Sequence, residues 1–333
     1  MEIVTDRTEY EILSILDRKN RAVNSAEIEK ELRKIGIDIS RRRIVQYLEI
    51  LDDKGFSENL GREGRRITEA GRDEVGKSMV HTKSDYILRV NAILSTDMTF
   101  DIERRKGKVA VNLSIINENK ERDVMKILKD ICTSTNWAPP FIKIGYSGET
   151  LCDYKIPEGK IGLATITSMA IDGIFVNSGI YTVPLYTGLI EFSDHKPIRF
   201  INIVSTTGCS FDPLTIFMGR ERSTVCDAVR KGCGLMPADY REYPSMVRDK
   251  IIRILEKIIE IFGGLIMISE PEAFILGVLP KIGYGGISAL GGEILISALN
   301  EKGISMVTRT VYSTIDFKEL SPICDVNGEL LEL

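Results

Sequence analysis

Two groups of arginines near the start of this chain have the chemistry needed to bind a polyanion. The first is the run Arg41–Arg43, directly after Ser40, and the second consists of Arg62, Arg65 and Arg66. Guanidinium groups form charge-assisted, often bidentate, hydrogen bonds with phosphates and with the edge of guanine. We therefore predict that both groups face one anionic partner.

The position of the first group argues against a purely structural role. Ser40 is a typical helix N-cap, so Arg41–Arg43 fall in the first helical turn, where the helix dipole disfavours a cation by roughly 0.3 to 1 kcal/mol. The acids collect at the opposite end of the same segment, at Glu49, Asp52 and Asp53. Both ends of the predicted helix therefore carry charges of the sign that the helix dipole disfavours, and such a conflict indicates a functional site.

Three short amphipathic helices are predicted to position these arginines. Apolar residues recur at helical spacing in residues 7–20, then in a stretch that Asn24 caps and Gly36 ends, and again after Ser40. At 100° per residue, Gln46 lies on the same outward face of the third helix as the arginines. The third helix therefore presents a basic, polar face at its N-terminal end.

A basic hairpin is predicted to follow, with Gly55 ending the third helix, Gly61–Gly64 forming the turn and Thr68 capping a fourth helix. Three helices and a basic hairpin are typical of a winged helix-turn-helix, whose recognition helix enters the major groove of double-stranded DNA. The alternatives are a solvated arginine face, or a protein- or RNA-binding winged helix. The predicted DNA contacts are Ser40, Arg41, Arg42, Arg43, Gln46, Arg62, Arg65 and Arg66.

Beyond residue 80 the pattern changes to β-branched runs that alternate with helices. The predicted strands are 108–116, 161–168, 171–176, 198–205, 265–269 and 304–313, and the predicted helices are 83–94, 121–131 and 245–264. A weak internal repeat relates 162–214 to 264–320. We predict two domains, a winged helix-turn-helix at 1–80 and an α/β or α+β regulatory domain at 81–333.

The longest predicted helix, 245–264, has an apolar seam that suits either a coiled-coil dimer or a helix packed on a sheet. Leu255 and Phe262 widen the apolar stripe, which favours packing on a sheet.

Composition places the chain among ordinary globular proteins. It has 333 residues, 43% hydrophobic and 28% charged, with a formal net charge of -4, which argues against indiscriminate coating of nucleic acid. No apolar run approaches the roughly 20 residues that a membrane span requires, and the start lacks the features of a signal peptide. We therefore expect a cytoplasmic protein with no membrane partner.

No motif typical of catalysis is found in the sequence. In the segment 283–292, Ser288 stands where a dinucleotide-binding loop has its third glycine, and no phosphate-binding lysine loop or hydrolase nucleophile motif occurs. Two histidines and six scattered cysteines do not form a metal-binding pattern, and the cysteines are expected to be reduced and mostly buried. We predict no enzyme activity, no metal and no cofactor. The alternative is an enzyme-like or nucleotide-binding domain whose winged helix contacts a protein.

A candidate anion site is predicted at the start of a short helix in residues 220–234. Thr224 and Asp227 have the spacing of a capping box, and Gly232 ends the helix, so free N–H groups and hydroxyls at Ser223 and Thr224 are available to a carboxylate or phosphate. Charge-assisted contacts are expected from Arg220, Arg222 and Arg241. The alternative is that Thr224 is only a cap and that the arginines lie on the surface.

The stretches 162–192, 211–217 and 222–244, together with the winged-helix start, resemble the archaeal nitrogen-regulation repressors, the NrpR family, across essentially the whole chain. The resemblance implies a repressor that binds palindromic operators of nitrogen-fixation and nitrogen-assimilation genes as an oligomer. It also implies release from DNA by 2-oxoglutarate, an allosteric effector rather than a cofactor.

The resemblance also implies where the effector binds and how the subunits assemble. It adds Thr167, Ser168, Thr187 and Gly188 to Ser223, Thr224 and Arg241 as effector residues; relatives often have a cysteine at position 167 and a Gly-Gly pair at 187–188. A homodimer or higher oligomer would place two recognition helices about 34 Å apart on an inverted repeat. Because the chain has room for one regulatory domain, a co-repressor role beside a second regulatory-domain protein is an alternative.

Overall fold

The computed structural model describes the chain in three ranges, residues 6–77, 86–219 and 222–333. The chain divides into two compact units, of which the first extends to Lys83 and includes Gly148–Lys155 from later in the sequence. The second unit comprises Ser84–Ser147 and Ile156–Leu333. The domain boundary that we expected at residue 80 lies outside the described residues.

The first unit has the element order of a winged helix-turn-helix, as predicted. Its elements are α1 (Arg7–Lys19), α2 (Ser25–Lys34), α3 (Arg41–Asp53), β1 (Ser57–Asn59), β2 (Arg65–Ile67) and α4 (Glu69–Lys77). β1 and β2 pair antiparallel, with Ser57 opposite Ile67. The predicted caps are present, because Asn24 and Ser40 accept hydrogen bonds from backbone N–H groups three residues ahead, at 3.0 and 3.4 Å.

The apolar stripes of the three helices meet in one buried core, which fixes the orientation of α3. Ile12 and Leu16 of α1 pack with Leu32 of α2 and with Ile44 and Leu48 of α3, and all five are at most 1% exposed. Burial of each side chain contributes about 1.5 to 3 kcal/mol. Because this face of α3 is buried, the face that carries the arginines must point outward.

A hairpin formed by β5 (Thr150–Leu151) and β6 (Tyr154–Lys155) also belongs to the first unit. Asn20, which ends α1 in a left-handed conformation, donates a side-chain hydrogen bond to the carbonyl oxygen of Lys155 at 3.1 Å. This hairpin was not anticipated as part of the N-terminal unit, since nothing local in residues 148–155 indicates where they pack.

The second unit is built from two sheets and the helices that cover them. Its helices are α5 (Tyr86–Asp97), α6 (Glu121–Ser134), α7 (Ala170–Asn177), α8 (Leu214–Phe217), α9 (Val225–Lys231), α10 (Arg248–Phe262) and α11 (Glu293–Glu301). Its longer strands are β3 (Lys108–Asn117), β4 (Phe141–Gly145), β7 (Lys160–Ile166), β8 (Val183–Ser193), β9 (Lys196–Ser205), β10 (Gly234–Pro244), β11 (Gly264–Ile268), β12 (Tyr284–Ala289), β13 (Met306–Asp316) and β15 (Gly328–Glu332), with the two-residue β14 (Ser321–Pro322).

Both sheets are mainly antiparallel. The six-stranded sheet has the order β15-β11-β12-β10-β8-β9, and the five-stranded sheet has the order β13-β3-β7-β4-β14. Among the described strands the only parallel pair is β11 with β15. Of the two fold classes that the sequence left open, α/β and α+β, this arrangement corresponds to α+β.

Helix α10 packs on a sheet, which confirms the interpretation favoured by its wide apolar stripe. It contacts β11 and β15 and buries Ile251, Leu255 and Ile258. Helices α6, α9 and α11 pack against one another and share a core with both sheets. A large hydrophobic core therefore lies between these helices and the two sheets.

One expectation for the second unit is wrong. Residues 171–176, predicted as a strand, form most of helix α7, because a short apolar run does not distinguish a strand from a buried helix and tertiary packing decides. The two halves of the weak internal repeat differ in structure, since 162–214 contains β7-α7-β8-β9 while 264–320 contains β11-β12-α11-β13.

Candidate nucleic-acid interface and buried polar cavity

The first turn of α3 presents exposed guanidinium groups. Arg42 and Arg43 are exposed and, within the described residues, neither forms an ion pair or a side-chain hydrogen bond. Arg41 is also exposed and pairs with Glu29 of α2 at 2.6 Å. Gln46, one turn further along the helix, is exposed as predicted. The helix start therefore offers two cations that no acid of the described chain neutralises.

The hairpin contributes fewer available cations than the sequence suggested. Arg62, at its tip, is exposed, and Arg66 is half exposed and pairs with Glu58 on the neighbouring strand at 2.6 Å. The side chain of Arg65 is only 16% exposed, and its Nε donates to Asp52 at 3.2 Å. Arg65 therefore ties the hairpin to the end of α3. Its contact with DNA stays a prediction and would require Arg65 to leave Asp52.

The arginines around the start of α3 are of two kinds: those without an ion pair within the described residues, and those paired with an acid. Ion pairs of exposed side chains, such as those of Arg41 and Arg66, contribute about 0 to 1 kcal/mol, so a phosphate can replace the carboxylate at little cost. The Ser40 hydroxyl accepts from the backbone N–H of Arg43 and holds the helix start. The arrangement can bind a polyanion through Arg42, Arg43 and Arg62 directly, and through the exposed paired arginines by exchange.

The anion site predicted at the start of α9 is occupied by the protein itself. A carboxylate of Glu301 accepts from the backbone N–H groups of Val225 and Cys226, at 2.6 and 2.9 Å, and from the hydroxyl of Ser223 at 3.0 Å. Thr224 does not cap the helix, since its hydroxyl accepts from the N–H of Leu235 at 2.8 Å. The predicted capping box is therefore wrong, because Glu301, far away in the sequence, accepts from the N–H groups at the start of the helix. The effector roles of Ser223 and Thr224 stay predictions.

Three of the predicted effector residues line one small polar cavity in the second unit. Thr167, Ser168 and Thr187 meet there, in a cavity of about 10 Å³ that has room for a single water molecule. The remaining lining residues are Met169, Pro184, Tyr186, Thr206, Asp212, Leu214, Asp239, Glu293 and Val311. Eight of the twelve lining residues carry a hydroxyl or a carboxyl group, although the surface that faces the cavity is mainly apolar.

Arg241 lies beside this cavity but is fully buried in a pair of aspartates. Its guanidinium forms an ion pair with Asp172 of α7 at 2.9 Å and a second one with Asp239 of its own strand, and it donates to the carbonyl oxygen of Ser168 at 3.3 Å. Burial alone would lower the pKa of Arg241, but the two aspartates outweigh burial and raise the pKa. Arg241 is a cation held in place for a ligand, or for the fold, rather than a surface residue.

Four polar atoms around the cavity have no hydrogen-bond partner among the residues that the structure describes. They are the Ser168 and Thr187 hydroxyl oxygens, one carboxylate oxygen of Asp239 and Nε of Arg241. A buried polar atom without a partner costs about 1 to 3 kcal/mol, so such a concentration points to a bound molecule or to water. The three donors among these atoms suit an anion, whereas the Asp239 oxygen opposes one.

Glu293 closes the cavity with a second buried carboxylate. It accepts from the hydroxyl of Thr167 at 2.7 Å and from the side-chain amide of Asn112 at 3.0 Å. Burial raises the pKa of Glu293 to about 7 and that of Asp212 to about 6. Glu293 therefore gains a proton near pH 7 and Asp212 near pH 6, and the negative charge of the cavity falls as they do so.

A second, mostly apolar cavity of about 20 Å³ shares Thr167 and Ser168 with the polar one. Its other walls include Ile171, Ile258 and Phe262.

The remaining predicted effector residues lie elsewhere. A Cβ atom at Gly188 would come within 2.0 Å of the carbonyl oxygen of Asn202, so this glycine allows β8 and β9 to approach and does not line the cavity. Arg220 lies outside the described residues, and Arg222 is exposed. Sequence reasoning missed three acids that line the cavity, Asp212, Asp239 and Glu293. Two signals were available in the sequence. Asp239 lies two residues before Arg241, and Glu293 directly follows Gly291–Gly292.

Most of the six cysteines are not buried. All six cysteines are free thiols, but only Cys132 and Cys226 are buried, so the expectation of mostly buried cysteines is wrong. No cluster of three or more metal-binding side chains occurs in the described ranges. None of the helices there combines the length and the hydropathy needed to cross a bilayer.

Comparison with known proteins gives consistent results for the two units. Residues 86–322 match the family described as NrpR regulatory domains NRD1 and 2, and residues 10–75 match the ribonuclease R winged-helix domain. The global nitrogen regulator NrpRI of Methanosarcina mazei is 28% identical over 97% of this chain and 100% of that protein. The global nitrogen regulator NrpR of Methanococcus maripaludis is 27% identical over 94% of this chain and 54% of that protein.

One solved structure has a similar fold over most of this chain. The crystal structure of a nitrogen repressor-like protein from Methanococcus jannaschii has a TM-score of 0.60 and 22% identity, and the match covers 72% of this chain and 99% of that one. The resemblance noted in the sequence is confirmed. Because the regulatory-domain family model matches more than half of the chain, this protein belongs to the NrpR family.

Proposed function

We propose that this protein is a transcriptional repressor of nitrogen-fixation and nitrogen-assimilation genes that binds double-stranded DNA through its winged helix. The observation that carries the proposal is the pair of exposed, unneutralised arginines, Arg42 and Arg43, in the first turn of α3. A cation at this helix end is electrostatically unfavourable in the free protein and becomes favourable when a phosphate or a guanine edge is bound. The names of the relatives, global nitrogen regulators, supply the class of genes.

The operator proposed for this protein is an inverted repeat. A twofold dimer presents two copies of α3 about one turn of DNA, about 34 Å, apart, and so matches two half-sites of opposite direction. The co-repressor alternative, in which a second protein supplies further regulatory domains, would give no operator binding by this chain alone.

The effector proposed for the second unit is 2-oxoglutarate, and the polar cavity is its proposed site. Ser168, Thr187 and Arg241 each have an unpartnered donor there, which suits a carboxylate. The cavity has room for one water molecule, so the effector requires a more open conformation than the one described. A ligand that binds only the open conformation shifts the population toward it, and this is how effector binding would release DNA.

An enzyme is a weaker candidate than a regulator. The cavity brings together carboxylates, hydroxyls and one arginine, and that arginine is paired on both sides with aspartates rather than aimed at a free nucleophile. Membership of a regulator family and the winged helix both favour control of transcription. Turnover of a small molecule by the full chain would favour the enzyme instead.

The proposal is tested by selecting duplexes from a random pool with the full chain and then measuring affinity by fluorescence anisotropy. The expected result is an inverted-repeat consensus, bound more tightly than a scrambled duplex of equal length. Addition of 2-oxoglutarate at millimolar concentration should weaken binding, whereas pimelate, a longer dicarboxylate without a keto group, serves as the control. No sequence preference would refute the DNA assignment, and an unchanged affinity with 2-oxoglutarate would refute the effector assignment alone.

A further inference from the structure

The polar cavity of the second unit carries more negative than positive charge. Three carboxyl groups line it, those of Asp212, Asp239 and Glu293, and none of the described lining residues is a lysine, an arginine or a histidine. Arg241 lies beside the cavity, but its charge is already shared between Asp172 and Asp239. A dicarboxylate in this site would meet like charges away from bulk water, which disfavours the ionised form of every carboxyl group there.

Glu293, at the start of α11, has hydrogen-bond donors around it but no cation of its own. The Thr167 hydroxyl and the side-chain amide of Asn112 donate to it at 2.7 and 3.0 Å. The charged groups that act on it are Asp239, which repels its charge, and Arg241, which two aspartates already hold. Burial outweighs the donors and raises the pKa of Glu293 to about 7.

Asp212 is the second acid of the cavity without a cation partner among the described residues. It accepts from the N–H of Leu214 at 2.9 Å and from the side chain of Thr310 on β13, and Asp239 is the charged group that acts on it. Burial raises the pKa of Asp212 to about 6. At pH 8 both Glu293 and Asp212 are therefore largely ionised in the free protein, and each can take up one proton.

A metal ion and protons are the two ways to neutralise clustered acids. In the described ranges, no group of three or more acidic, histidine or cysteine side chains is arranged to hold a metal ion. Protons need no such geometry. A protonated carboxyl group also gains an O–H donor, to which a ligand carboxylate can hydrogen-bond.

We propose that the anionic effector binds this cavity together with two protons, one taken up by Glu293 and one by Asp212, so that alkaline pH weakens effector binding. The inference rests on the proposed function, in which the effector is 2-oxoglutarate. Carboxylic acids titrate at about pH 4, so this ligand is a dianion at pH 7 and above and brings no proton with it. The two protons come from the solvent and balance the two negative charges of the ligand.

Proton uptake also completes the set of donors that the ligand meets. The hydroxyls of Ser168 and Thr187 and Nε of Arg241 have no hydrogen-bond partner among the described residues. Once protonated, Glu293 and Asp212 no longer repel a carboxylate and can donate to it instead. The effector and the protons therefore favour each other's binding, as thermodynamic linkage requires.

The test is isothermal titration calorimetry of the full chain with 2-oxoglutarate at pH 8, in HEPES, tricine and Tris buffers, which differ in their enthalpy of ionisation. The observed heat should rise linearly with that enthalpy, and the slope should be about two protons per ligand bound. Between pH 7.5 and 8.5 the dissociation constant should increase roughly 50- to 100-fold, because each proton contributes close to tenfold per pH unit.

Two substitutions assign the protons to residues. Glu293→Gln removes one titrating group, so proton uptake should fall to about one and the dissociation constant should change only about 10-fold over the same pH range. Asp212→Asn should have the same effect and serves if the first variant does not fold, which circular dichroism checks. The matched control is Glu256→Gln, which removes an exposed carboxyl group of α10 and should leave the uptake at two.

The outcomes separate this inference from the proposed function. Heats that do not depend on the buffer, or a dissociation constant that does not depend on pH, would overturn proton uptake and leave 2-oxoglutarate as the effector. Binding that requires added Mg²⁺ would assign the neutralising charge to a metal ion and overturn the inference as well. An uptake of two protons by folded Glu293→Gln would contradict the role of Glu293. The absence of binding in every buffer would overturn both the inference and the effector assignment, but not DNA binding.

Discussion

Replacement of Arg42 and Arg43 by alanine should separate DNA binding from stability, because the two effects have opposite signs. Each arginine that contacts a phosphate or a base contributes about 1 to 3 kcal/mol of binding, so the double variant should lose about 2 to 6 kcal/mol, or at least about 30-fold in affinity. In the free protein both side chains are exposed and unpaired in the first turn of α3. Their removal relieves an unfavourable interaction with the helix dipole of up to about 1 kcal/mol each.

The assay is anisotropy with an operator duplex at several salt concentrations, paired with urea unfolding of the same protein. The slope of log affinity against log salt should become shallower by about 1 for each phosphate that the variant no longer neutralises. The matched control is Arg104→Ala with Arg122→Ala, which removes two exposed charges from the second unit. Equal losses in both double variants, or a loss of stability in the α3 variant that accounts for its loss of binding, would refute the assignment of α3 as recognition helix.

Three further predictions concern the buried charges. Arg65→Ala should lower the free energy of unfolding by about 1 kcal/mol, because its partly buried ion pair with Asp52 holds the hairpin. The affinity for the operator should change less than in the Arg42 and Arg43 double variant. Equal losses of affinity in the two variants would identify Arg65 as a DNA-binding residue. Arg241→Leu should cost about 3 to 5 kcal/mol at pH 7 in urea unfolding, because two aspartates are left buried without a cation. Glu293→Gln should change the pH dependence of the free energy of unfolding. The pKa of Glu293 is raised from 4.5 to about 7, so between these pH values the folded wild type binds more protons than the unfolded chain. As pH rises from about 4.5 to above 7, the wild type should therefore lose on the order of 3 kcal/mol of stability relative to the variant. Parallel curves of unfolding free energy against pH for wild type and Glu293→Gln would contradict the last prediction.

The N-terminal unit could be predicted from sequence almost completely. The caps at Asn24 and Ser40 and the apolar periodicity of α1 to α3 are local signals, and each helix lies where these signals placed it. The role of Arg65 could not be predicted, because its partner Asp52 is thirteen residues away and the choice between water, DNA and an internal acid depends on the position of the hairpin.

The regulatory site could be predicted only in part. Thr167, Ser168 and Thr187, expected from the family resemblance, do line one cavity, whereas Ser223 and Thr224 are bound by Glu301 from a distant helix and by β10. The acids that dominate the cavity, among them Asp239 and Glu293, come from separate elements. Nothing in a linear sequence indicates that such carboxylates converge, because convergence is set by sheet order and helix packing.

The sequence by itself determined the helices of the winged helix, their caps and the unfavourable placement of arginines at the start of α3, since helix periodicity, capping and the helix dipole act within a few residues. Only the tertiary structure decided which arginines keep their charge available, that residues 171–176 form a helix, and that Thr167, Ser168 and Thr187 line one cavity. These features depend on burial and on long-range pairing. Such interactions are formed between residues that are far apart in the chain, so local propensities carry no information about them.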